Sequence, residues 1–212
     1  MSGLRERKKA DTRRALGDAA LKLAFEHGVD DVTREAIADL AGVSLRTFNN
    51  YFTGKYEALA YRQTERLRRS ITALRARPRE EPLWTSITEA MLEPLEAELG
   101  ETGAEQAEVP SRAELVEIRK LLMRPEIRNA MSRDLFAEWV QVIAERSGTD
   151  PARDMYPRLV AAVMRAVADA AMETYATADP PVAVTTLLRE GMAAVAAGLP
   201  EPRKRREGKS GV

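Results

Sequence analysis

Cysteine is absent from the 212 residues and histidine occurs once, at His27. The first absence removes disulfides, thiolate metal sites and cysteine nucleophiles. The second leaves one imidazole, too little for a His-based metal site or a Ser-His-Asp triad. His27 stands beside Gly28, where a helix-terminal histidine covers free carbonyls. Paired acidic residues at metal-ligand spacing are also missing. No catalytic residue, metal ligand or cofactor is therefore assigned, and the chain reads as a non-enzyme. No stretch approaches about 20 uncharged apolar residues, so no membrane-spanning helix is expected. The start, Met1 to Ala10, is charged and lacks the apolar run of a signal peptide. Together with the missing cysteine, this points to the cytoplasm.

What is present is enough apolar material, 44% of residues, to build a core. Net charge is zero but unevenly spread. Arg5, Arg7, Lys8, Lys9, Arg13 and Arg14 crowd the start, and a second basic run extends from Arg62 to Arg79. From Glu80 to Glu117 glutamates dominate, with Arg112 as the lone arginine. A neutral whole with a basic front suits an anionic polymer at one end.

Helix formers dominate and no convincing run of alternating β-branched residues occurs, so the fold is expected to be all-α. Leu16, Ala19, Ala20, Leu23 and Ala24 follow helical spacing up to Gly28. Thr33 caps a short helix bearing Ile37, Leu40 and Ala41, and Ser44 caps another from Leu45 to about Tyr51. Thr53 is expected to cap a long helix from Gly54 to about Arg77. Further helices are expected near 83–98, 112–122, 126–146, 152–177 and 182–197. Residues 1–54 then form a small N-terminal domain, 55–199 a larger one, and 200–212 a disordered basic tail.

The strongest local signal runs from Ile37 to Phe52. In a helix-turn-helix a small residue permits two helices to cross, here Ala38, and a glycine four residues later makes the turn, here Gly42. Val43, Phe48 and Phe52 fall where the second helix needs apolar residues facing inward. Leu45, Arg46, Thr47, Asn49 and Asn50 are left on or near the outward side, with groups suited to base edges. Arg46 fits either a guanine edge or a phosphate. Lys55 lies in the first turn of a helix, where free N–H groups favour a phosphate. Tyr51 has a ring for Phe48 and a hydroxyl that reaches outward, or else is a core tyrosine.

With its flanks, the region resembles the TetR family of one-component regulators. The match runs from the basic helix through Phe25-Glu26-His27-Gly28, Thr33, Ile37-Ala38, Ala41-Gly42-Val43-Ser44, Thr47-Phe48, Tyr51-Phe52, Lys55 and Leu59. The resemblance implies that Thr33, Tyr51 and Lys55 contact phosphates while the helix Ser44–Asn50 reads the major groove. It departs from the family at Asn49, where an aromatic residue is common, and at Tyr56, where an acid is common.

The apolar faces of 152–177 (Leu159, Val160, Val163, Met164, Val167, Ala168, Ala171, Met172, Tyr175) and of the last helix (Val184, Leu187, Leu188, Met192, Val195, Leu199) suit a four-helix pairing between two copies, or a single monomeric core. The resemblance implies the homodimer. Trp84, Met91, Leu122, Phe136, Trp139 and Met164 are candidates for lining an adaptable apolar ligand chamber. Arg165 and Asp169, four apart on one helix, are placed to pair. The stretch Leu115 to Arg128 is similar to family members with hydrophobic or acyl-CoA-type effectors. The expectation is a homodimeric repressor on a palindromic double-stranded DNA operator, released by a small ligand. A ligand-independent DNA-organising protein and a small helical enzyme are the alternatives.

Overall fold

Apolar residues recurring every three to four positions set the architecture from the first helix onward. The computed structural model describes residues 2–101, 121, 124–130, 133–180 and 182–201. Among these the chain forms helices α1 (Ser2–His27), α2 (Arg34–Leu40), α3 (Leu45–Tyr51), α4 (Lys55–Ala76), α5 (Leu83–Glu101), α6 (Pro125–Ala130), α7 (Arg133–Ser147), α8 (Tyr156–Thr177) and α9 (Val184–Ala196), and no strand. The all-α expectation holds. The expected helix 112–122, apart from Leu121, and the tail beyond Glu201 lie outside the described residues.

Two apolar clusters organise the helices. The first joins Leu16 and Ala20 of α1, Ile37 and Ala38 of α2, Phe48 of α3, and Ala58, Leu59 and Ala60 of α4. Leu121 and Ile127 reach into this same cluster from the C-terminal part of the chain. The second joins Ile71 and Leu74 of α4, Ile87 and Leu92 of α5, Val142 and Ile143 of α7, Val160 and Met164 of α8, and Leu188 and Met192 of α9. Each fully buried side chain of this size contributes about 1.5–3 kcal/mol of transfer free energy. Helix α4 belongs to both clusters, its first turns to one and its second half to the other.

Two boundaries differ from expectation for local reasons. The helix expected from 152 begins at Tyr156. Asp150 builds its own turn, its carboxylate accepting from the Ala152 N–H at 2.8 Å and its carbonyl from the Asp154 N–H at 2.8 Å. Pro157, which has no N–H, then suits the first helical turn. At α4 the N-cap is Gly54 and the Thr53 hydroxyl does not cap. Instead Glu57 reaches back and accepts from the Thr53 N–H at 2.7 Å and its hydroxyl at 2.9 Å. That is one half of a capping box, shifted by one residue.

The face expected to pair two copies is partly consumed at home. Val160, Met164, Ala171, Leu188 and Met192 lie in the second cluster. Met155, Tyr156 and Leu159, at the start of α8, remain exposed.

Candidate nucleic-acid interface

The turn between α2 and α3 follows from three residues. Ala38 is 1% exposed, so nothing bulkier fits where the helices cross. Gly42 has φ +68°, the left-handed region that only glycine enters freely. Its N–H donates to the Asp39 carbonyl at 3.0 Å and that of Val43 to the Ala38 carbonyl at 2.9 Å. This pair of bonds closes a Schellman motif and turns the chain sharply into α3. Phe48 is fully buried and Phe52 nearly so, with ring centroids 5.8 Å apart. Their burial fixes the roll of α3, leaving Arg46, Asn49 and Asn50 exposed on its far side.

Caps occupy two of the expected DNA-contacting hydroxyls. Ser44 accepts from the Thr47 N–H at 3.1 Å and shares a 2.9 Å bond with the Thr47 hydroxyl. Thr33 accepts from the Ala36 N–H at 3.1 Å, which leaves its O–H free to donate. Leu45 is half-buried at the start of α3.

Two open clefts bring the other expected residues together. One contains Thr47, Asn50 and Tyr51, facing the start of α1. The second contains Thr33, Gly54 and Lys55, where the first turns of α2 and α4 converge. The Lys55 ammonium turns inward, donating to the carbonyls of Val29 at 3.1 Å, Asp30 at 3.0 Å and Val32 at 2.9 Å. Its three protons clamp the loop from α1 to α2, so its charge is partly spent within the head.

The basic run on α4 is also spent at home, against the expectation of a free anionic-polymer face. Arg62 faces Asp18 at 3.8 Å, Arg66 faces Glu98 at 3.0 Å, Arg68 faces Glu65 at 2.7 Å and Arg75 faces Glu145 at 3.6 Å. Arg69 and Arg77 bind Glu98 and Glu81. Burial pushes the Arg66 guanidinium below its ordinary value, with Glu98 opposing the shift.

Five of the six expected chamber residues gather in the second cluster: Met91, Trp139 and Met164 buried, Trp84 and Phe136 half-buried. Leu122 lies outside the described residues. The Trp139 indole N–H is buried without a hydrogen-bond partner among the described residues. Arg165 and Asp169 do pair, at 4.0 Å, but on the exposed side of α8 rather than toward this core.

Residues 16–60 match the model for bacterial regulatory proteins of the tetR family, and residues 81–200 match that for the MftR C-terminal domain. The chain belongs to the TetR family of transcriptional regulators. A relative, the HTH-type transcriptional regulator TcmR of Streptomyces glaucescens, is 32% identical over 172 residues, covering 78% of this chain and 73% of TcmR. The TetR fold recurs in the fatty acid degradation regulator FadR of Bacillus halodurans, with TM-score 0.57 and 17% identity over 89% of this chain and 96% of that one. It recurs in Thermus thermophilus FadR, a repressor solved with lauroyl-CoA, with TM-score 0.54 and 18% identity over 92% and 97% of the two chains. Pseudomonas aeruginosa NalD gives TM-score 0.54 and 18% identity over 91% and 97%.

The residues that sequence reasoning missed are Asp30 and Glu57 in this TetR-type head and Arg124 beside it, from the C-terminal part of the chain. Glu57 was legible in principle, four residues after Thr53. Arg124 binds Asp30 across the fold, a pairing that no local pattern announces.

Proposed function

We propose that this regulator is a cytoplasmic homodimeric repressor that occupies a palindromic operator and leaves it when a mainly apolar ligand enters the C-terminal core. The observation that carries the reading is the pair of clefts that gather the expected contact residues, one at Thr47, Asn50 and Tyr51 of α3, the other at Thr33, Gly54 and Lys55. A helix seated in the major groove meets a phosphate strand on each side, and these clefts supply hydroxyls and backbone N–H groups there. Arg46, Asn49 and Asn50 then face base edges, with Ser44 and Leu45 at the entry of the helix.

Two heads are needed for strong specificity, since each presents one seven-residue reading helix. The exposed Met155, Tyr156 and Leu159 supply apolar surface for pairing through α8 and α9. The recognition helices then stand about 34–36 Å apart on the duplex.

Trp84, Met91, Leu122, Phe136, Trp139 and Met164 are the proposed lining of the effector site. An indole N–H buried without an acceptor carries a penalty of about 1–3 kcal/mol, which a ligand oxygen relieves. An acyl chain with a carbonyl meets both the apolar lining and this donor. The lauroyl-CoA held by Thermus thermophilus FadR, a protein of like fold, supports that class.

The test is selection of bound duplexes from a random pool, followed by operator titrations with and without lauroyl-CoA and other acyl-CoA thioesters. Enrichment of a palindrome, and its release by an acyl-CoA, is expected. Binding with no enriched sequence would replace the repressor by a DNA-organising protein. A monomer that held a half-site tightly would remove the dimer.

A further inference from the structure

We propose that the first turns of α1 form a second DNA-contacting element, in which Arg5, Lys8 and Lys9 neutralise the phosphodiester backbone flanking the groove read by α3. The inference rests on the operator-binding reading and extends it to residues outside the helix-turn-helix. Residues 3–11 of α1 are exposed throughout, and the first buried residue of the helix is Leu16. The helix thus runs about 14 Å, at about 1.5 Å per residue, before it touches the core. Nothing in the packing of the head requires that length.

The projecting turns form one wall of a cleft of about 780 Å³ whose opposite wall is Thr47, Asn50 and Tyr51 of the reading surface. Arg5, Lys8 and Lys9 line the α1 side, with Glu6 as the only acidic group on the lining. Three cations face one carboxylate there. None of the three cations has an ion pair or side-chain hydrogen bond with a described residue, whereas the arginines Arg62 to Arg75 of α4 and its C-cap Arg77 are matched to carboxylates. Arg13, further along α1, is also committed: it lies 3.6 Å from Glu57, and its guanidinium stacks 5.3 Å from the Phe52 ring centroid.

Arg5 is three residues from Lys8 and four from Lys9, so the like charges share one face and repel each other. A phosphate strand in the cleft relieves that repulsion and releases counterions. Continuity with α3 fixes the occupant, because a duplex whose major groove holds α3 brings its flanking strand over this cleft. Phosphate contacts of this kind carry no sequence information.

The full-length protein with Arg5→Gln, Lys8→Gln and Lys9→Gln tests the inference against a charge-preserving variant, Arg5→Lys, Lys8→Arg and Lys9→Arg. Fluorescence anisotropy is measured on a selected operator duplex and on a shuffled duplex of equal length, across a salt series. The glutamine variant should lose affinity for both duplexes by the same factor. Its plot of log K against log salt should flatten by about 0.9 for each phosphate left without its cation, while the charge-preserving variant keeps the parent slope. An unchanged slope in the glutamine variant, with the parent still binding, would overturn the proposed element alone. Equal losses in both variants would do the same, by tying the effect to side-chain shape. Failure of the parent on every duplex would remove the operator reading as well.

Discussion

Arg124 and Asp30 hold each other by two parallel hydrogen bonds, Nη1 to Oδ1 at 2.7 Å and Nη2 to Oδ2 at 2.6 Å. Arg124 immediately precedes α6 and Asp30 lies in the loop between α1 and α2, so the pair ties the C-terminal body to the reading head. Leu121 and Ile127, on either side of Arg124, are buried in the head's core. The Arg124 guanidinium holds the Asp30 carboxyl below its ordinary range, so the tie persists at neutral pH.

A solvent-exposed pair of this kind adds little to stability, and in the proposed switch it would act by coupling the two parts. Arg124→Ala and Asp30→Asn should therefore change the melting temperature little and leave effector affinity intact. The loosening of operator binding by effector, of the usual order of about 5–150-fold, should shrink in both variants. Operator titrations with and without effector measure this. Full retention of release in both would show that the signal travels elsewhere.

Lys55→Ala should weaken binding to all duplexes and also destabilise the fold by about 1–3 kcal/mol for the missing charge-assisted bonds to the loop carbonyls, seen as a lower melting temperature. Lys55→Arg should not restore it, because a planar fork cannot converge on three carbonyls as an ammonium does. Tyr51→Phe, which keeps the ring packed against the head's core, should weaken all sequences without a comparable thermal loss. A Lys55→Ala protein with unchanged melting would show the loop clamp to be idle.

Arg46 and Asn50 differ from Tyr51 in what their loss reveals. Substitution by Ala should cost on the order of 1–3 kcal/mol at one base pair and relax preference there. The measurement is affinity across single-base operator variants. If Arg46→Ala lowered every variant equally, Arg46 would bind a phosphate instead.

Much of this was legible because the decisive signals were local. Ala38, Gly42, Ser44, Phe48 and Phe52 lie within fifteen consecutive residues, and their spacing alone dictates crossing, turn, cap and roll. The inward turn of Lys55 was not legible, since a first-turn lysine looks alike whether it faces solvent or three carbonyls. Nor was the pairing of the α4 arginines, whose partners Asp18, Glu98 and Glu145 sit on three other helices. The late start of α8 was hidden because Asp150 competes with helix through its own side chain, which apolar periodicity ignores.

Acid should reveal the corner between α4 and α5. Glu81 accepts from Arg77 and from Ser86, which hold its carboxyl down to about 2 from an ordinary 4.5. A carboxyl depressed by folding stabilises fully above its unfolded pKa and loses that contribution as pH falls toward the folded one. The parent should thus lose melting temperature as pH falls from about 4.5 to about 2, with a shallower decline in Glu81→Gln. Thermal melts across that range decide it; parallel curves would place the acid sensitivity elsewhere.

A methyl group at Gly191 should push α8 and α9 apart, because a Cβ there would lie 2.7 Å from Cγ1 of Val167. Val167 is β-branched and cannot rotate away cheaply in a helix. Overpacking costs about 1–3 kcal/mol, against about 1 kcal/mol gained in helix propensity. Gly191→Ala should therefore be destabilised or neutral, and Val167→Ala in the same chain should recover more stability in this background than in the parent. Additive effects in a double-mutant cycle would show that the two side chains do not meet.

Helix α4 serves both clusters without a proline or glycine anywhere between Lys55 and Ala76. It behaves as a stiff rod about 33 Å long at about 1.5 Å per residue. Pivoted at its far end, a tilt of roughly 5° carries the head about 3 Å, close to the roughly 3.4 Å rise of one base step along a strand. In the proposed dimer, mechanical advantage of that size would let side-chain rearrangements near Ile71 and Leu74, too small to disturb the fold, put the heads out of register with the groove.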